Sequence, residues 1–472
     1  MNRRFSYTWL LLCGLLVVVM IVGGCDLVDP TGVRNPQTTE KNLEEGATGA
    51  TTPFLQGVKL AFSDMIDTIA YYTDCVSDNY DNVATYISPL VDKPRSIRSD
   101  DLTLNHTDYL YFSTQECRAL ATFTIDVVVP NDAEVMESQI AELYFYRGMA
   151  NLCAAENFVG CPVEENGEVL QKDALLDLAI ADFLEAATHN ENEDMDFQTR
   201  IDLALARAYR YDGDETNAVA KATEAIAGTE GFVYFAEFDA ATFISWSYVF
   251  GVSRNLHDMQ PLPRLDFLDP KYTERGSSIP VLKMEEAHLI LAEAALVDGN
   301  AASAAQHLGN AIALAQSRPT TEFLDEDPRD LRPAGGTVQA SPTAPAIDGL
   351  IFPREGATVY VPYISGCSLN ADEVVKMTDA NALHKAIYLA RQEIFIFEGR
   401  RMNDLGILLP MMKREWETNP NINEGDVGTL VSVPSYIPAD DDLDAFTIGD
   451  GNTVIEYDMN QVIADNGVSP LM

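Results

Sequence analysis

A mainly α-helical body is the fold this chain predicts, and three observations carry that expectation. From Phe54 to Tyr72, and again from Glu134 to about Glu156, apolar residues recur at helical spacing. The middle of the chain holds an internal repeat in which helix, glycine stop and helix follow one another. Hydrophobic residues fill 47% of the 472 positions, which is ample for a large core.

The N-terminus comes first. Arg3 and Arg4 precede an apolar run from Trp9 to Val22, and Val22-Gly23-Gly24-Cys25 closes it. A basic start, a short apolar run and small residues before a cysteine are the layout of a bacterial lipoprotein signal. The run falls short of the roughly 20 residues that a membrane-spanning helix needs. Residues 1–24 therefore read as a removed signal, with Cys25 as the lipidated first residue. Residues 25–45, polar with Pro30 and Gly32, read as a tether. Residues 46–472 read as one body, with an N-terminal part to 282 that carries the binding loops and a C-terminal part from 283.

Within that body the first helix is interrupted by the turn formers of "DCVSDNYDN", Asp74 to Asn82. The second stops near "NFVGCP", where Gly160 and Pro162 end it. Leu175–His189 supplies a further helix. The repeat aligns Leu203–Ala227 with Leu289–Ala313, matching Asp212-Gly213 to Asp298-Gly299 and Ala225-Ile226-Ala227 to Ala311-Ile312-Ala313. Glycine supplies the left-handed backbone at a helix end, and alanines let paired helices approach closely. Ala206, Ala218 and Ala225, with Ala292, Ala304 and Ala311, keep the spacing of small positions in tetratricopeptide helix pairs. Between the pairs, 231–280 and 319–370 lack helical period and read as long irregular loops, the first of them rich in aromatic residues.

Composition narrows the partners. The formal net charge is −42, and loss of Arg3 and Arg4 with the signal makes it more negative. Such a surface repels nucleic acid and anionic membranes, which excludes nucleic-acid binding. After Cys13 and Cys25 the remaining cysteines are Cys75, Cys117, Cys153, Cys161 and Cys367. In an oxidising compartment these allow disulfides, with Cys153–Cys161 able to close a small loop and Cys75–Cys117 a looser pairing. Neither the cysteines nor the histidines show metal-ligand spacing, and no metal-protease or serine-nucleophile motif occurs.

The most charged apolar stretch is "RQEIFIFEGRRMNDLGI", Arg391 to Ile407. On one continuous helix, with Arg391 at 0°, Glu398 falls at about −20° and Arg401 at about −80°, whereas Glu393, Arg400 and Asp404 gather at about 200°, 180° and 220°. Its carboxylates then diverge, so a paired-acid catalytic site is not expected. Ile394 to Phe397 cover the whole circumference, the mark of a buried helix. Buried charges persist when paired, so Arg391, Glu398, Arg400, Arg401 and Asp404 are expected to form structural ion pairs, Glu398 with Arg401 or Arg400 with Asp404.

At these residues the chain resembles the SusD/RagB family of outer-membrane lipoproteins. Glu398-Gly399-Arg400-Arg401-Met402-Asn403-Asp404-Leu405 is similar to that family's E-G-x-R-x-x-D-L motif, and Arg391 matches an arginine eight residues before the glycine. Where the family has a glutamate five residues before the glycine, this chain has Ile394, with Glu393 one position earlier. Phe145–Pro162, through Arg147, Phe158 and Pro162, and Lys283–Arg318 resemble further family segments. The resemblance implies a SusD-like helical body with tetratricopeptide-type helix pairs. It also implies outer-membrane, cell-surface localisation through the Cys25 lipid, helped by Asp26 and Asp29. The implied partner is a SusC-like TonB-dependent transporter, to which a non-enzymatic binding protein passes oligosaccharide or, in some members, peptide.

Ligand residues do not follow from those motifs. Sugar capture asks for flat aromatic faces beside amides and carboxylates, and Asp78, Asn79, Tyr80, Tyr86, Trp246 and Tyr248 meet that description. The acidic turn Ala439–Asn452 offers oxygen ligands for Ca²⁺ without EF-hand order, so it reads first as a solvated loop; no other cofactor is expected. A surface glycoside hydrolase and a protein-binding scaffold are the competing functions.

Overall fold

The computed structural model describes residues 48–82, 89–100, 105–190, 194–252, 259–325, 336–348, 357–440 and 442–472. The signal, Cys25, the tether and Tyr86 lie outside the described residues. Helices dominate. They are α1 (Thr51–Val76), α2 (Asn105–Phe123), α3 (Glu137–Asn157), α4 (Lys172–Thr188), α5 (Met195–Asp212), α6 (Glu215–Ala227), α7 (Trp246–Gly251), α8 (Met284–Val297) and α9 (Ala301–Ser317). The short α10 (Ala371–Val374), then α11 (Ala380–Ile394), α12 (Arg401–Asp404), α13 (Lys413–Thr418) and α14 (Met459–Asp465), complete the series. Among the described residues no helix is long and apolar enough to cross a membrane.

The helix pairs form where small residues and caps allow. α5 ends at Gly213 and α8 runs into Gly299, with φ of 85° and 75°, which glycine adopts without steric cost. Asp214 and Asn300 then cap α6 and α9, accepting the backbone N–H of Asn217 and Ser303 at 3.1 Å each. Ala218, Ala222 and Ala225 on α6, and Ala304 and Ala311 on α9, are buried at the seams. α3 pairs with α4 through Arg147, whose Nη2 reaches Asp182 Oδ1 at 2.6 Å and whose Nε reaches Oδ2 at 3.0 Å.

The intervening loops are more ordered than their composition suggests. β1 (Tyr80–Asn82) pairs antiparallel with β5 (Met259–Pro261), and β4 (Val233–Ala236) with β6 (Ile279–Lys283). β7 (Thr320–Asp325) pairs with β10 (Ala357–Pro362), and β2 (Gly160–Cys161) with β3 (Leu170–Gln171). A four-stranded sheet in the order β11 (Phe446–Gly449), β12 (Asn452–Ile455), β8 (Thr337–Gln339), β9 (Ile347–Asp348) absorbs the acidic turn as a hairpin. One hydrophobic cluster extends from Leu55 on α1 to Ile463 on α14.

Two expectations need correction. All five described cysteines are free thiols. All are buried as small apolar side chains, Cys75, Cys117 and Cys153 in helices, Cys161 in β2 and Cys367 in the loop after β10, and none of the proposed disulfides forms. The stretch from Arg391 is not one helix either. α11 stops at Ile394, the chain turns through Phe397 (φ 57°) and Gly399 (φ 72°), and α12 begins at Arg401.

That turn changes every ion pair drawn on a continuous helix. Asp404 accepts from Arg391 Nε at 2.8 Å and lies 3.5 Å from Arg210. Arg210 also grips Glu293, which accepts from Tyr388 Oη at 2.8 Å and Ser469 Oγ at 2.7 Å. Glu398 meets Lys271 and Lys283, and those ammonium groups also donate to the Ile396 and Ile394 carbonyls at 2.9 and 2.6 Å. They thus cap the end of α11. Arg400 donates to the Val281 carbonyl at 2.6 Å and lies 3.8 Å from both Glu156 and Glu286. Arg401 holds Asp78 with Nη2 at 2.8 Å from Oδ2, and Nη1 reaches Asn460 Oδ1 at 2.9 Å.

Gly399 faces α1 so closely that a Cβ there would lie 2.3 Å from Ile69 Cγ2, whereas at Gly425 (φ 91°) a Cβ would meet nothing within 4 Å. Gly425→Ala should cost about 1–2 kcal/mol from backbone strain alone, and Gly399→Ala roughly 2–5 kcal/mol because overpacking adds to it. Denaturant midpoints with equal m-values would check the difference; equal losses would contradict it.

Arg210 holds the buried Glu293 carboxyl down at about 2, against the opposing effect of burial. A depressed carboxylate gives stability that is present above the unfolded value and is lost as pH falls through the folded one. Glu293→Gln should therefore flatten the fall in stability between about pH 4.5 and pH 2. Urea midpoints across that window would reveal it, and an unchanged acid limb would refute it.

Candidate functional site

α1 presents Asp64, Asp67 and Tyr71 at spacings of three and four residues, hence on one face. Asp67 is buried and faces the start of α7. Its Oδ1 accepts from Ser245 Oγ at 3.2 Å, from Ser247 N–H at 2.9 Å and from Ser247 Oγ at 2.6 Å, while Oδ2 takes the Trp246 N–H. Burial raises the carboxyl to about 6 although these donors pull the other way. Ser245 itself caps the helix by accepting Tyr248 N–H at 3.3 Å.

This clamp fixes Trp246, which keeps 38% of its surface exposed. Its ring stacks on Phe250 one turn later, with centroids 5.8 Å apart. Phe250 is buried against Tyr71 (4.7 Å) and His106 (5.6 Å), and Tyr71 Oη lies 3.0 Å from His106 Nδ1. One turn beyond His106, α2 presents Tyr109 and Phe112, 38% and 48% exposed, stacked at 6.5 Å. Tyr109 Oη donates to Asp64 Oδ2 at 2.8 Å, and burial raises the Asp64 carboxyl. Exposed rings on α2 and α7 are thus each tied to the Asp64–Asp67 segment of α1.

A separate cleft of about 500 Å³, lined by none of these rings, falls within the range of small-ligand sites. Phe235, Thr273, Glu274, Ser277, Thr321 and Tyr363 are among the residues that line it. Its lining loop is tied to α7, because Ser245 N–H donates to the Arg275 carbonyl at 2.9 Å. A second cleft of about 380 Å³ lies between α3, α5 and β4, lined by Glu137, Glu142, His189, Asp194, Asp196 and Arg200 among others. The Arg200 guanidinium there is covered by Phe197 (4.3 Å), Phe145 (4.5 Å) and Tyr234 (4.6 Å), which spends its cationic face on the protein's own rings.

Of the residues expected at a ligand site, the structure brings Trp246 to the surface and leaves Tyr248 half-buried against the core. Asp78, Asn79 and Tyr80 are corrected from candidate ligands to interior groups. Asp78 is gripped by Arg401, Asn79 Oδ1 accepts from Gln392 Nε2 at 3.0 Å, and Tyr80 Oη donates to Asp269 Oδ1 at 3.0 Å. Their mixture of acid, amide and ring has the composition of a sugar site, but the strand they start is paired with β5 and covered. Asp64, Tyr109 and Phe112 were missed. The only signal was a tyrosine and phenylalanine three apart in "DYLYF", which equally suits a core helix.

No protein-family model and no curated protein matches the chain. Solved structures do. NanU of B. fragilis aligns over 94% of this chain and 98% of its own, with 12% identity and a TM-score of 0.52. A protein of Bacteroides vulgatus named for sugar binding aligns over 79% of this chain and 97% of its own, with 14% identity and a TM-score of 0.52. A SusD superfamily protein of Bacteroides fragilis aligns over 79% and 98%, with 13% identity and a TM-score of 0.49.

Removing the Asp67 clamp should free α7. Asp67→Ala leaves the Trp246 and Ser247 N–H groups without their acceptor and should cost about 2–4 kcal/mol. In a Trp416→Phe background of the chain begun at Cys25, where Trp246 is the remaining tryptophan, it should also make the fluorescence more quenchable by acrylamide, and unchanged quenching would count against the clamp.

At identities this low the likeness speaks for the architecture: with NanU and the B. vulgatus protein the chain shares a SusD-like fold, mainly α, with helix pairs and long loops.

Proposed function

We propose that this protein is a cell-surface lipoprotein, anchored through Cys25, that captures oligosaccharide and delivers it to a SusC-like TonB-dependent transporter. The observation that carries the capture step is the exposed Trp246, Tyr109 and Phe112 around the Asp64 carboxylate. Ring faces match the apolar face of a sugar, and a carboxylate accepts from its hydroxyls. The shared fold with a B. vulgatus protein named for sugar binding supports the same reading. Anchoring and delivery rest on the lipobox ending at Cys25 and on the E-G-x-R-x-x-D-L resemblance at Glu398–Leu405. The role is one of binding without bond cleavage.

A peptide ligand is the second reading, favoured by the 380 Å³ cleft. Glu137, Glu142, Asp194 and Asp196 at its walls suit a cationic chain.

Affinity electrophoresis of the full chain in gels loaded with neutral polysaccharides tests the main reading. At least one glycan should retard the protein, and Trp246→Ala with Tyr109→Ala should weaken that retardation at least tenfold, since stacking of each ring contributes about 1 kcal/mol or more. New reducing ends in the mixture would instead mark a hydrolase, and no retardation by any glycan would remove the capture step.

A further inference from the structure

Asp81 on β1 and Asp92 at the end of the 3₁₀ turn Pro89–Asp92 are near one another in sequence, and Asp444 in the loop before β11 joins them from a distant part of the chain. Each offers a carboxylate oxygen, and the three oxygens lie within 4.8 Å of one another. Asp92 and Asp444 are buried and Asp81 is partly so. Like charges held this close in a poorly solvated place repel strongly and need a counter-charge. The basic side chain nearest in sequence, Lys93, acts on Asp92 only from a distance, because its Nζ lies 3.5 Å from a further acid beside the cluster, Asp442.

A second observation points to what is missing. Asp444 is 3% exposed, and its Oδ2 has no hydrogen-bond partner among the described residues. A buried carboxylate oxygen left without a donor is costly, and such groups normally mark a bound ion or water. Asp92 differs, since its Oδ1 already accepts the Asn82 N–H at 3.2 Å. The thiol of Cys75 is buried close by and brings no positive charge.

We infer that Asp81, Asp92 and Asp444 form a Ca²⁺ site that ties the segment after α1 to the segment before β11. The donors are hard carboxylate oxygens, which suit Ca²⁺ and Mg²⁺ rather than Zn²⁺ or copper. Ca²⁺ with bonds of about 2.3–2.6 Å spans oxygens up to about 5 Å apart, whereas Mg²⁺ at about 2.1 Å spans only about 4.2 Å and gives up its waters reluctantly. Ca²⁺ also accepts the irregular, incomplete protein shell that three side chains provide, with water filling the remainder. The competing occupant is the proton, which would neutralise the acids without joining them.

Calorimetric titration of CaCl₂ into the EGTA-stripped full chain, in physiological salt at pH 7.5, tests the site. One saturable Ca²⁺ per chain is expected, together with a rise in Tm on adding Ca²⁺ that the same concentration of MgCl₂ does not reproduce. Asp444→Asn should remove both the saturable heat and the rise in Tm. Should that variant fail to fold, Asp81→Asn, at the less buried ligand, should weaken Ca²⁺ binding at least tenfold. Absence of saturable Ca²⁺ uptake by the unaltered chain would overturn the proposal in favour of protons. Uptake unchanged in a folded variant would overturn it in favour of diffuse binding to the acidic surface.

Discussion

Charge buried in a protein interior must be matched nearly group for group, and that requirement shapes the centre of this molecule. Around the turn between α11 and α12, Arg391, Arg400, Arg401, Lys271, Lys283 and Arg210 face Asp404, Glu398, Asp78, Glu156, Glu286 and Glu293. Such pairs add little net stability over apolar packing, but removing one partner is heavily penalised. Their partners come from α3, α5, β6, α8 and the end of α1, so the network imposes one mutual arrangement on elements far apart in the chain. A chain displaced by one residue at any of them would leave a charge unmatched.

α1 connects that interior to the exposed face. Near its C-terminal end, Asp74 accepts the Phe397 N–H and Ile69 packs against Gly399, which locks the helix to the charged turn. Two turns earlier Asp67 clamps α7, and Asp64 takes the Tyr109 hydroxyl. The aromatic rim is therefore held by a helix whose other end is fixed in the core. Rings placed on such a rigid support lose little freedom when a ligand covers them, and preorganisation of that kind favours affinity.

The cysteines and the loops follow the same logic of packing before chemistry. Cys117 and Cys153 are buried in α2 and α3, and Cys161 sits in β2 opposite Leu170. Burial raises the Cys161 thiol to about 11, which suppresses the thiolate that oxidation requires. The aromatic-rich loop after α6 likewise turns most of its rings inward: Phe232, Tyr234 and Tyr248 pack half-buried against the core, Tyr272 donates to the Phe397 carbonyl at 2.7 Å, and Phe250 is buried.

By itself the sequence determined the helical class, the repeated pairs and the SusD-like architecture. The first two rest on local rules, since apolar period and glycine at Gly213 and Gly299 act within a few positions of one another, and the third on the resemblance carried by Glu398–Leu405 and its companion segments. It also marked Arg391–Ile407 as a place of buried ion pairs, although not their partners. Tertiary structure alone decided which charge meets which, because Asp78 and Arg401 are separated by 323 positions and no local period relates them. The same holds for exposure. Trp246 and Tyr80 look alike as aromatic residues beside polar neighbours, yet one begins a clamped helix at the surface and the other is buried in a paired strand. Burial is set by what packs on top, and that information resides in distant segments of the chain.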